Sequence, residues 1–344
     1  MTAIARLRRA PLLLAAASLL GVGPGCAVHH YPLTQPLRGA APLAGDVQTR
    51  FAYALADPAV TTPRWEDDEV TIHEGRLAIE LAGWEGPQPI EFEYWEGKQR
   101  RGPSPLLLVT PILGGGKELA RHNCRDFVRA GFHVLLAWRG TKVLRRSWSL
   151  QEPERFFRKA VAGRRALLDW AEARPEVDPR RMMAFGISMG GILTSLFVAA
   201  EPRLHSGVIA LAGGDVPGII RSSTEGRLGE FWAAKRAETG LDDDALEDAL
   251  RAAMPSDPLA LAPAIDPRRV FVVTTRYDEV VPPRFQQRLW EALGRPARYD
   301  IPSGHYSGVY YLPYITAIVS RWLRSRAEVL PLAPAAPERY AGSK

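Results

Sequence analysis

Cysteine is nearly missing from the 344 residues: Cys26 and Cys124 are the only two. So sparse a pair excludes a disulfide-stapled scaffold, and neither thiol has a partner at metal-ligand spacing, so no metal centre is expected. Long apolar runs are missing too, since residues 11–22 are too few to span a bilayer. No internal repeat of the kind that builds propeller blades occurs. One-sided charge is absent as well: 44 Lys and Arg stand against 38 Asp and Glu, a formal net charge of +6. Without Arg6, Arg8 and Arg9 the remainder carries about +3, with the other arginines scattered among acids, so nucleic acid is not an expected partner. What is left is a length and composition suited to a larger α/β domain with a sizeable core.

The N-terminus reads as an address. Arg6, Arg8 and Arg9 form a basic start, and residues 11–22 form the short apolar stretch of a secretory signal. Gly23-Pro24-Gly25-Cys26 follows and resembles the small-residue run before the lipidated cysteine of bacterial lipoproteins, although Gly23 and Pro24 depart from its usual pattern. Residues 1–26 are therefore expected to be a signal peptide ending in a lipid-bearing Cys26, which makes the chain an exported, membrane-anchored bacterial protein. The alternatives are secretion with cleavage near Ala27, or an uncleaved apolar start. Residues 27–50, rich in Pro, Gly and Ala without a period, read as a flexible spacer.

Residues 51–328 read as one α/β domain. Alternation over 70–81, on either side of His73-Glu74-Gly75, predicts a hairpin turning at that tripeptide, and 90–95 a further strand. Four short apolar runs, 106–110, 182–187, 207–212 and 270–275, have the look of strands buried on both faces. Helical spacing over 119–130 and 154–173 separates the first of these from the second, and the strand–helix–strand rhythm implies parallel pairing. Gly213 to Arg269 is longer than one crossover needs and holds helix signals at 228–237 and 244–253, so a small helical cap is expected there. Asp242-Asp243-Asp244 reads as an acid-rich helix start. A helix over 284–293, a last strand over 297–301 and a closing helix over 312–323 complete the domain, with a disordered tail over 329–344.

Chemistry concentrates where these strands end. Gly186-Ile187-Ser188-Met189-Gly190-Gly191 lies between an apolar strand and an apolar helix, so Ser188 stands on a sharp corner with helical N–H groups behind it. A serine hydroxyl is a poor nucleophile until an imidazole takes its proton, and the imidazole needs a carboxylate to hold its tautomer. Asp278 follows the run 270–275, and His305 lies in the glycine-containing loop after 297–301, so the chain order is Ser, Asp, His. Asp215 and Asp300 are rival carboxylates. Gly114-Gly115-Gly116, in the loop after 106–110, sits where backbone can approach an oxyanion.

These residues carry a resemblance. Val177-Asp178-Pro179-Arg180-Arg181 leading into the Ser188 motif, Tyr277-Asp278-Glu279-Val280-Val281-Pro282, and Ser303-Gly304-His305-Tyr306 are similar to the α/β-hydrolase superfamily, in its dienelactone hydrolase, acetyl esterase and prolyl-oligopeptidase-like branch. The similarity spans residues from about 104 to 325. It implies an α/β-hydrolase fold, a mostly parallel central sheet with helices on both faces. It implies Ser188 as nucleophile, His305 as general base and acid, and Asp278 as its orienting carboxylate. The Met189 N–H would form half of an oxyanion hole, with Ile112 or Leu113 giving the other half. The expected activity is that of a serine esterase on small-molecule carboxylic esters, without a cofactor. The alternatives are a peptidase or amidase, or a catalytically silent surface-binding lipoprotein.

Overall fold

A computed structural model describes residues 27–37, 39–43, 45–98, 102–113, 117–138 and 143–329. In chain order the elements are β1 (His29–Tyr31), α1 (Gly45–Arg50), β2 (Ala54–Glu66), β3 (Val70–Glu80), β4 (Gln88–Gly97), β5 (Ser104–Thr110), α2 (Lys117–Arg129), β6 (His133–Ala137), α3 (Glu152–Glu172), β7 (Val177–Ile187), α4 (Met189–Ala200) and β8 (Ser206–Ala210). There follow α5 (Val216–Ser222), α6 (Gly226–Thr239), α7 (Asp243–Ala253), α8 (Pro258–Leu261), β9 (Val270–Thr275), α9 (Pro283–Ala292), β10 (Ala297–Ile301) and α10 (Leu312–Val329). The strands form one sheet in the order β1-β10-β9-β8-β7-β5-β6-β4-β3-β2. β6, β5, β7, β8, β9 and β10 are mutually parallel, and antiparallel strands flank them on both sides.

The apolar runs mark strands covered on both faces. Along β5, Leu106 and Leu108 point into a core shared with α3, α4 and α9, whereas Leu107 and Val109 point into one shared with α2 and α10. Period-2 alternation with both faces apolar is what a doubly covered strand requires. Strand order reverses between β5 and β7: β6 lies on one side of β5, and the crossover through α3 carries the chain to the other. At such a reversal the loops beyond the strand ends splay apart and leave a crevice.

Three expectations change. Residues 70–80 run as one unbroken strand, β3, with no hairpin at His73-Glu74-Gly75. Gly75 is there for space: a Cβ on it would stand 2.3 Å from Phe92 of the neighbouring strand, whose ring fills the gap. Residues 29–31 of the expected spacer form β1, paired antiparallel with β10, and 45–50 form α1. The closing helix runs on to Val329. The expected tail from 330, the leader with Cys26, and Gly114-Gly115-Gly116 lie outside the described residues. The insert between β8 and β9 is helical, as the spacing predicts, and Asp242 caps α7 by accepting from the Ala245 N–H at 2.9 Å. Cys124 is fully buried.

Candidate active site

Ser188 is the pivot between β7 and α4, with φ 58° and ψ −125°. That is a left-handed conformation few non-glycine residues hold, and the surroundings force it. A Cβ on Gly186 would lie 2.1 Å from the Gly190 carbonyl oxygen, and one on Gly190 would lie 2.2 Å from the Thr110 carbonyl oxygen. Strand, helix and the end of β5 thus meet backbone to backbone, and only glycine fits at either position. Ser188 occupies the N-cap position of α4, yet its hydroxyl makes no capping bond. A serine there normally satisfies the first turn; this one points elsewhere.

It points at His305, whose Nε2 is 2.8 Å from Ser188 Oγ, while His305 Nδ1 is 2.8 Å from Asp278 Oδ2. The three sequence-predicted residues are therefore brought together in one hydrogen-bonded line. Ser188 and Asp278 are buried, and the His305 side chain is 10% exposed. Asp278 is held on all sides. Its Oδ1 accepts the N–H groups of Val280 at 2.9 Å and Val281 at 2.8 Å, and its Oδ2 accepts Thr275 Oγ1 at 2.9 Å and Gln286 Nε2 at 3.2 Å besides the imidazole. Gln286 is oriented in turn, because its Oε1 accepts the Thr275 N–H at 3.0 Å and its Nε2 donates to the Val281 carbonyl at 2.7 Å. Thr275 and Gln286 were not singled out from the sequence. A glutamine within the helical stripe Phe285, Gln286, Leu289, Trp290 and Leu293, otherwise apolar, is the one available signal.

The rival carboxylates are engaged elsewhere. Asp215 accepts Arg288 at 2.6 Å and Arg251 at 3.1 Å, and Asp300 accepts Thr274 Oγ1 at 2.8 Å and Arg276 Nε at 2.7 Å. His122 lies on α2 and pairs with Asp126, and His133 accepts the Gly97 N–H at the far end of the sheet; neither joins Ser188. Met189 is the first residue of α4, where N–H groups have no intrahelical acceptor. Ile112 and Leu113 lie in the loop beyond β5, whose Pro111 carbonyl comes within 2.9 Å of a Cβ built on Gly190. Among the described residues no group of His, Cys, Asp and Glu could hold a metal ion.

The helical insert is tied to both the Asp278 loop and the His305 loop. The Thr224 N–H donates to the Glu279 carbonyl at 3.0 Å, and the Tyr306 hydroxyl, next to His305, donates to Glu225. That carboxylate, with partial burial, pushes the Tyr306 phenol up to about 12. Phe231, Leu228, Leu246 and Leu250 are buried in the core that α3, α4 and α9 share, and no large hydrophobic side chain of residues 213–269 is exposed.

The profile of the prolyl oligopeptidase family matches residues 122–301. No protein of curated function matches the sequence. Among solved structures, the acetyl xylan esterase from Paenibacillus sp. R4 superposes with a TM-score of 0.62 at 15% identity, over 81% of this chain and 91% of that one. Acetyl xylan esterase 1 from Thermoanaerobacterium sp. JW/SL YS485 gives 0.61 at 15%, over 85% and 99%. Est1E from Butyrivibrio proteoclasticus gives 0.52 at 14%, over 74% and 99%. Identities this low carry the fold and nothing finer.

Proposed function

The chain belongs to the prolyl oligopeptidase family of α/β-hydrolases, and on that premise we propose that it is a serine hydrolase that cleaves carboxylic esters through an acyl-enzyme. The observation that carries this reading is the unbroken line Ser188–His305–Asp278 at a strained strand-to-helix corner, with 2.8 Å at each link. Asp278, buried and saturated with donors, keeps the proton of the imidazole on Nδ1 and leaves Nε2 free to accept. Ser188 Oγ attacks the ester carbonyl as His305 Nε2 takes its proton. The carbonyl oxygen becomes an oxyanion, met by the Met189 N–H and by an N–H of Ile112 or Leu113. Collapse expels the alcohol, which leaves with the proton from His305. Water then repeats the sequence on the acyl-serine and frees the acid and Ser188.

Ester, as against peptide, takes support from the acetyl xylan esterases that share the fold and from the lack of any propeller repeat in the sequence. The family's name favours a second reading, a peptidase or amidase. The two separate by rate on p-nitrophenyl acetate against peptidyl p-nitroanilides. A fluorophosphonate probe tests the shared chemistry: the chain labels at Ser188, and Ser188→Ala loses both labelling and ester hydrolysis by several orders of magnitude while its circular dichroism is unchanged. Labelling of the alanine variant at the parent rate would refute the assignment. The export signal and lipid-bearing Cys26 belong to the same proposal, with intact-mass analysis of the membrane fraction as the check.

A further inference from the structure

Eight large hydrophobic side chains are exposed among the described residues, and five of them lie in the two loops that hold Asp278 and His305 and in the turn and helix that follow: Tyr277 in the first, and Tyr306, Val309, Tyr310 and Tyr314 in the second and beyond. Single exposed apolar residues are ordinary; a cluster of tyrosines calls for a partner. The cluster is continuous in space. The Tyr277 N–H donates to the Ser303 carbonyl at 3.0 Å, which joins the aspartate loop to the histidine loop. The Tyr306 ring stands edge-on to His305, with centroids 5.7 Å apart. Gly308 N–H closes back on the Gly304 carbonyl at 3.1 Å, so that Tyr310, 85% exposed, projects from a tight helical turn beside them. Tyr314 meets Tyr299 at 6.2 Å, and Tyr299 stacks on His30 of β1 at 4.6 Å.

That last contact ties the rim to the start of the described chain. Because β1 is antiparallel to β10, with His29 opposite Asp300, its first residue lies at the carboxyl end of β10, the edge of the sheet that carries Ser188, Asp278 and His305. Ala27 is fastened there: its carbonyl accepts Arg276 Nη2 at 2.5 Å, and Arg276, which directly precedes Tyr277, is itself held by Asp300 at 2.7 Å. Cys26 is the residue that directly precedes Ala27 in the sequence. A lipid on Cys26 would therefore be joined directly to a residue fastened beside the tyrosine rim.

We propose that the tyrosine rim rests on the bilayer that anchors Cys26, so that the catalytic edge of the sheet faces the membrane surface. The inference rests on the lipid-anchor reading. Tyrosine suits the position, since its ring tolerates the acyl boundary while its hydroxyl reaches the headgroups. A flexible spacer would have left orientation free; a pinned one sets it.

The test uses the full chain, made with its own leader, purified from membranes and reconstituted into phosphatidylethanolamine and phosphatidylglycerol vesicles. Tyr310→Cys carries a nitroxide at the rim, and Pro202→Cys carries one at the exposed turn before β8, on the opposite edge; buried Cys124 stays unlabelled. Intact mass reports whether Cys26 bears lipid. The expected result is a severalfold fall in collisions between the 310 label and a water-soluble nickel chelate on reconstitution, with a matching rise for oxygen and no change at 202. A lipid-bearing chain whose 310 label stays as aqueous as the 202 label would overturn the docking. If Cys26 is unmodified the anchor reading fails by itself, and the measurement is repeated with Cys26→Ser so that 310 alone carries label: shielding when that chain meets vesicles still supports the surface, whereas its absence overturns it. Shielding without vesicles, with dipolar broadening between labels, would mean a second copy covers the rim and would likewise overturn the proposal.

Discussion

Asp278→Asn is the sharpest perturbation the site offers, because every atom around the carboxylate has its role already assigned. Oδ1 accepts two backbone N–H groups, so the oxygen of an asparagine must take that place and its NH2 must take the place of Oδ2. There it confronts Gln286 Nε2, which cannot turn over because Gln286 Oε1 is committed to the Thr275 N–H. It also confronts His305 Nδ1, which must now accept instead of donate. The imidazole proton moves to Nε2, the atom that faces Ser188 Oγ, and general-base catalysis stops. A wrong tautomer of this kind lowers kcat about 10,000-fold, or roughly 5 kcal/mol of transition-state stabilisation. Stability should fall less, by about 1–3 kcal/mol, because one donor is left facing another while the Gln286 bond to the Val281 carbonyl survives. The assay is kcat on p-nitrophenyl acetate beside a urea denaturation curve. Asp215→Asn and Asp300→Asn serve as controls expected to keep kcat within severalfold of the parent. An Asp278→Asn enzyme within tenfold of the parent, or an Asp300→Asn enzyme as impaired as Asp278→Asn, would refute the reasoning.

The helical insert turns its apolar residues inward and offers no exposed hydrophobic lid, so rates on p-nitrophenyl esters should peak at acetate to butyrate and fall toward palmitate; a maximum at long chains, or activation by an oil–water interface, would contradict this. A Cβ at position 186 would overlap backbone that has nowhere to go, so Gly186→Ala should yield insoluble or unfolded protein on expression, and a soluble, active variant would show that the corner can relax. Burial pushes the Glu201 carboxyl up, but hydrogen bonds from Arg203 and the charges of Arg203 and Arg165 outweigh it and hold it below the usual range. Its folded value lies under its unfolded one, so its contribution is complete above the unfolded value of about 4.3 and fades as pH drops through the folded one. Melting temperature against pH should accordingly fall on acidification, and Glu201→Gln, which leaves Arg203 short of a buried partner, should cost about 3 kcal/mol at neutral pH and flatten that dependence.

What the sequence made legible follows the reach of the forces involved. Ser188 and Asp278 each follow an apolar run, and His305 follows the last strand in a glycine-containing loop, so local pattern sufficed to put all three on one edge of a sheet. The glycines at 186 and 190 were legible for the same reason: a turn too tight for a side chain must be written in consecutive residues. Gly75 was misread because its reason sits on another strand, in the ring of Phe92. The strand at 29–31 was missed because three residues carry no period, and its partner, β10, lies at the other end of the chain. Thr275 and Gln286 escaped because the orientation of a carboxylate depends on side-chain geometry that no spacing rule encodes.

The pairing of β1 with β10 also sets an order of events. His29 meets Asp300 across a contour of some 270 residues, and closing so large a loop in an unfolded chain costs about 5 kcal/mol. A three-residue ladder cannot offset that. β1 can dock only after β9 has received β10 and the intervening chain is already compact, which makes the first described strand the last to join the sheet. Until synthesis is nearly finished residues 29–31 therefore stay unpaired, and the same pairing that later holds this segment against the body begins as a delay.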